Sequence, residues 1–335
     1  MTCSHRFLLN CARETYTVGR FGSGVPYGFE PRVMALLQTP PAAIEIFQSP
    51  DGKDLAILRH ITPSANATPR AVLAFRGTLP PQITENLPLA EVIAKDWLND
   101  AYAIPVASPC GSAGAIVHLG FLNSVKALLA APNAQGQTLQ QRLDALHTSA
   151  TETFITGHSK GGPLANLAAY MLAKIQGWDP AKIKVVTFAA ARCGNMAFAD
   201  LYHAHVHGTH RYEVGEDLVP HVPLGPNSRF VWLIRSISAP PWIKNLIKDS
   251  AVFVGVGDVK TQWFNLFNAV IGNAKAISFG LLQLLSLGLS KNLRDAKAQH
   301  FNLILGKAHS IDLGETYDLM TCANLKPGEV CAHDL

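Results

Sequence analysis

The chain is 335 residues long, 48% hydrophobic and 16% charged, so it has material for a sizeable core, and disordered, collagen-like and coiled-coil classes are excluded. Its 28 Lys plus Arg against 24 Asp plus Glu give a formal charge of +4, spread along the chain rather than gathered into a basic stripe, which argues against a nucleic-acid partner. Length alone admits one large α/β domain or two smaller ones.

Near the N-terminus the only apolar run is Phe7-Leu8-Leu9, shorter than the roughly 7–15 residues of a signal peptide, and the expected location is cytoplasmic. Residues 42–49 and 54–61 alternate apolar and polar around Pro50-Asp51-Gly52, the pattern of a β-hairpin. Residues 70–75 (RAVLAF) form a continuous apolar run of strand length, as expected of a strand buried on both faces. Helical spacing follows over 119–131 and 139–146, and strand spacing returns over 151–156. Residues 161–176 read as a helix with Pro163 in its first turn. A buried-type strand over 183–191, a helix over 194–207 and a short strand over 210–214 complete the alternation. Strands alternating with helices predict one doubly wound α/β domain over 1–335, its sheet mainly parallel and covered on both faces.

Between about Trp242 and His300 the chain turns apolar, with Lys275 the only charge between Lys260 and Lys291. No uncharged run reaches the roughly 18 residues of a membrane span. The tract is expected to be a helical insertion or cap packed on the domain; a second reading makes it an apolar surface beside a lipid-binding cleft. Six cysteines without a CxxC pair read as mostly reduced thiols.

Gly157-His158-Ser159-Lys160-Gly161 is a G-x-S-x-G segment between a predicted strand and a predicted helix. That setting is what a nucleophile elbow demands, a sharp turn presenting Ser159 with a small residue on either side. A serine hydroxyl is barely ionised at neutral pH, so it needs a base and a carboxylate that orients the base. Asp217, after the strand at 210–214 and before Pro220, is the carboxylate candidate, with Glu216 its rival. Four of the 13 histidines, His221, His300, His309 and His333, follow it. His309 is the preferred base and His300 the alternative.

These residues resemble the fungal-lipase-like class 3 lipases of the α/β-hydrolase fold, over most of 70–223 and the His309 segment. Phe75-Arg76-Gly77-Thr78 is similar to the family's oxyanion loop, Asp96-Trp97-Leu98-Asn99-Asp100 to the helix and acid that follow, and Val117-His118-Leu119-Gly120-Phe121 to its H-x-G-F motif. Gly157–Gly161 matches the elbow, Thr187-Phe188 with Arg192 and Gly194-Asn195 the next strand and turn, Asp217–Pro220 the acid, and His309 with Tyr317 the histidine segment. Departures are Lys160 where many members have Leu, and Ala189 and Ala191 in place of Gly and Pro. The resemblance implies a Ser159–His309–Asp217 triad, an oxyanion hole from the backbone N–H groups of Thr78 and Lys160, a bracing role for Arg76, and a lid at about 80–97. It further implies a lipase acting on acylglycerols through an acyl-enzyme, in transient contact with a lipid surface.

Two other classes compete. His203, His205, His207 and His210 have ligand-type side chains, but on a helix end and turn they do not share one face, so no metal or other cofactor is expected. A catalytically silent hydrolase fold used for binding is the other rival. Among enzymes, an esterase on small soluble esters is the near alternative.

Overall fold

Alternation decides how the central strand is buried. In β5 (Arg70–Phe75) Leu73 and Phe75 enter one apolar cluster while Val72 and Ala74 enter another, because successive side chains point to opposite faces. The computed structural model describes residues 5–20, 26–27, 44–61, 69–78, 104–109, 114–149, 151–214, 217, 219–223, 225–226, 252–262 and 317.

Around β5 stand β3 (Ile44–Gln48), β4 (Leu55–Ile61), β8 (Glu152–His158), β9 (Ile183–Phe188), β10 (Thr209–Val214) and β11 (Asp258–Gln262). They form a seven-stranded sheet of order β11-β10-β9-β8-β5-β4-β3. The pairs from β5 through β8, β9 and β10 to β11 are parallel, and β4 is antiparallel to both β3 and β5. Two small antiparallel ladders lie apart, β1 (Gly19–Arg20) with β2 (Pro26–Tyr27) and β6 (Pro105–Ala107) with β7 (Ile116–His118).

On one face α2 (Leu119–Ala130), α3 (Leu139–Thr148), α4 (Gly161–Tyr170) and α5 (Met196–His205) pack through residues such as Phe121, Leu143, Leu164 and Phe198. On the other, α1 (His5–Thr17) lays Phe7, Leu8, Leu9 and Cys11 against Val72, Ala74, Phe154 and Val186. The result is a mainly parallel sheet with helices on both faces, the doubly wound α/β arrangement expected from the alternation of strands and helices. Local signals start the helices: Thr138 and Gln141 form a capping box at α3, and Asn195 Oδ1 accepts the Phe198 N–H at 3.0 Å to start α5.

The structure departs from the sequence reading in three places. The single helix expected over 161–176 ends as α-helix at Tyr170 and widens into a π turn, Met171–Ile175, before Gly177 at φ +69, the backbone sign that glycine takes without penalty. The strand expected to reach residue 191 ends at Phe188, because Ala189 turns to φ 50. Within the tract expected to be helical, Asp258–Gln262 is instead β11, paired parallel to β10 from His210↔Asp258 to Val214↔Gln262. The rest of that tract apart from 252–262, and the expected lid at 80–97, lie outside the described residues. No described helix is long and apolar enough to cross a membrane.

Candidate active site

Ser159 occupies the turn between β8 and α4 with φ 58, a left-handed conformation that costs an L-residue about 1–2 kcal/mol. Its neighbours over-determine it. The Ser159 N–H donates to the Phe188 carbonyl at 3.0 Å, and the Gly162 N–H donates to the Ser159 carbonyl at 3.1 Å. A Cβ at Gly157 would strike the Gly161 carbonyl group, and one at Gly161 would strike that of Phe75. A Cβ at Gly77 would lie 2.9 Å from the Ser159 Cβ, so the segment leaving β5 passes directly beside this serine.

Thr78 and Lys160 are both buried. Arg76 donates from Nη2 to the carbonyls of Gly52 and Lys53, at 3.0 and 2.9 Å, fastening the Thr78 segment to the β3–β4 turn. Lys160 turns its cation away from solvent, and Nζ pairs with Asp54 Oδ1 at 3.0 Å. Tyr16, from α1, sets its hydroxyl 2.8 Å from His158 Nδ1. The Gly77 N–H bonds the same phenolic oxygen, and burial raises the phenol's pKa far enough to keep it neutral despite the Arg76 charge nearby.

Asp217 is fully buried after β10. Its Oδ1 accepts the Val219 N–H at 3.0 Å, and its Oδ2 accepts the Tyr317 hydroxyl at 2.7 Å. Tyr317 in turn accepts the Val214 N–H at 3.3 Å. Burial and then the Asp217 charge push the Tyr317 phenol upward, so it remains a neutral donor. The acid is therefore held on both oxygens, one by its own loop and one by a residue far along the chain.

His221, near Asp217 in sequence, is held at about 4 by burial and by the Arg192 charge, against the opposing pull of Asp217, with Arg211 adding to the lowering. It is thus a weak proton acceptor at neutral pH. His300, His309, His333 and Glu216 lie outside the described residues. His118 serves locally, its Nδ1 accepting the Gly120 N–H at 3.1 Å at the start of α2 while its ring stacks on Phe121 at 4.1 Å. The histidine-rich segment disperses: His203 Nε2 accepts the Gly257 N–H at 3.0 Å, His205 bonds the Leu201 carbonyl at 2.9 Å, and His210 lies against His5. Among the described residues no three His, Cys, Asp or Glu side chains are grouped to hold a metal ion.

Sequence reasoning did not single out Tyr16 or Asp54, and it named Tyr317 only for its spacing from His309. Nothing local marks the first two, since each acts on a partner more than 100 positions away.

Residues 72–226 match the class 3 lipase family. Lipase ZK262.3 of Caenorhabditis elegans is 39% identical over 90 residues, covering 26% of this chain. The chain spans only 26% of that protein's length. The triacylglyceride lipase of Rhizomucor miehei aligns in structure over 76% of this chain and 77% of its own, at 18% identity and a TM-score of 0.48. The lipase of Rhizopus microsporus var. chinensis does so over 65% and 69%, at 21% identity and a TM-score of 0.43.

Proposed function

We propose that this chain, which matches the class 3 lipase family over residues 72–226, is a serine carboxylester hydrolase acting on acylglycerols. The observation that carries the reading is Ser159 at φ 58 between β8 and α4, with the Gly77 backbone beside it. A strained, glycine-flanked serine at the carboxyl end of a central parallel strand is the arrangement in which a hydroxyl becomes a nucleophile.

In the proposed reaction Ser159 Oγ attacks the ester carbonyl and His309 takes its proton, then returns it to the departing alcohol. Asp217 orients His309 and stabilises its imidazolium; its double anchoring by Val219 and Tyr317 supports that role. The oxyanion is received by the backbone N–H groups of Lys160 and Thr78. Water then attacks the acyl-enzyme, His309 accepting the water proton and returning it to Ser159 as the acid leaves.

The test is covalent labelling of the intact protein by a fluorophosphonate, expected in the wild type and lost in Ser159→Ala. A short-to-long acyl ester series, assayed below and above substrate aggregation, then decides the substrate class. Turnover confined to soluble short esters would place the chain among esterases. Loss of turnover in His300→Ala but not in His309→Ala would overturn the choice of base.

A further inference from the structure

Two N–H donors on separate chain segments act as one oxyanion hole only if their spacing is fixed. In this protein both segments are tied to the same short turn. The turn from Ser49 to Asp54 is internally closed: the Ser49 N–H donates to the Asp54 carbonyl at 3.0 Å, the Gly52 N–H to the Ser49 carbonyl at 2.9 Å, and the Asp54 N–H to Ser49 Oγ at 2.9 Å. From one side Arg76, two residues before Thr78, grips the Gly52 and Lys53 carbonyls. From the other, the side chain of Lys160 reaches Asp54 at 3.0 Å. The side chains of that pair are only 5% and 8% exposed. A lysine so buried cannot swing away from Asp54 without separating two opposite charges in a low-dielectric interior, so the pair fixes where Lys160 stands.

We infer that Asp54 is a positioning residue of the reaction: by pairing with Lys160 it fixes, on the β3–β4 turn that also holds Arg76, the backbone N–H next to Ser159 relative to that of Thr78. This rests on the ester-hydrolase reading above. Hydrogen bonds to a developing oxyanion weaken steeply with misplacement, while ground-state binding of the ester does not depend on them. Loss of Asp54 is therefore felt in kcat and not in KM.

The test compares wild type, Asp54→Asn and the double variant Asp54→Leu with Lys160→Leu on a soluble p-nitrophenyl ester and its thionoester. Sulfur accepts hydrogen bonds poorly, so the ester-to-thionoester ratio of turnover reports the hole itself. For both variants kcat for the ester is expected to fall about tenfold, with KM within about twofold and the ratio lowered towards one. The double variant removes both members of the pair and decides the matter if Asp54→Asn does not fold. A double variant with wild-type melting, kcat and ratio would overturn the proposal, as would a lower kcat with an unchanged ratio. A wild type that hydrolyses neither substrate and resists fluorophosphonate would instead overturn the ester-hydrolase reading, and this inference with it.

Discussion

The hydroxyl of Tyr317 donates to Oδ2 of Asp217 at 2.7 Å across 100 positions of sequence, inside an interior that solvent does not reach. Tyr317→Phe removes that donor and the acceptor of the Val214 N–H while keeping the ring. A hydrogen bond to a buried charge contributes about 1.5–3 kcal/mol. The variant is expected to unfold earlier in denaturant by that amount, and turnover of a soluble ester is expected to fall by roughly tenfold. Unchanged values in both measurements would remove Tyr317 from the support of the acid.

Tyr16→Phe acts on the other half of the site. It strips a partner from His158 Nδ1 and from the Gly77 N–H at once. Each buried group left unsatisfied costs about 1–3 kcal/mol. The expected result is lower stability together with slower fluorophosphonate labelling of Ser159. A labelling rate equal to that of wild type would show that α1 only covers the sheet.

Ala189, at φ 50 and fully buried, tests the turn after β9. Ala189→Gly relieves the backbone but loses a buried methyl group, and stability is expected to stay within about 1 kcal/mol of wild type. Ala189→Val adds β-branching in a conformation closed to it and is expected to cost about 2 kcal/mol or more. Urea midpoints check both, and equal midpoints for Gly and Val would contradict the assigned turn.

The acid side of the stability profile follows from two groups. His221 is neutral in the fold down to about 4, whereas in the unfolded chain it takes up a proton near 6.5. The unfolded state thus binds more protons across that interval, and stability falls as pH drops from about 6.5 to about 4. Glu45 adds a second loss at lower pH. Burial alone would raise its carboxyl, but hydrogen bonds from His60, Arg142 and Asn133, with the Arg142 charge, hold it at about 2. Its contribution is present above the unfolded value near 4.3 and disappears as pH falls towards 2. Chemical denaturation across pH is expected to lose the upper slope in His221→Gln and the lower slope in Glu45→Gln.

What the sequence makes legible is what is local. The β-hairpin, the alternation within 70–75 and the glycines around Ser159 depend on residues within a few positions of one another, and they appear where periodicity and turn chemistry place them. Tyr16, Asp54 and the role of Tyr317 depend on partners set opposite them by strand order, which no window of sequence contains. Asp258–Gln262 has the same origin. It falls within the tract read as helical, yet it pairs in parallel with β10, a strand whose place beside it is set by the sheet order.

The position of α1 bears on how the molecule reaches its native state. It packs mainly on β4, β5, β8 and β9, and its His5 reaches Tyr212 of β10, all elements formed by chain that lies tens to well over 100 residues further on. Closing loops of that length carries an entropic penalty that no short-range contact repays, so this helix has no partner until the parallel strands have assembled. Docking of α1 is therefore expected late in refolding, after the strands it covers have paired.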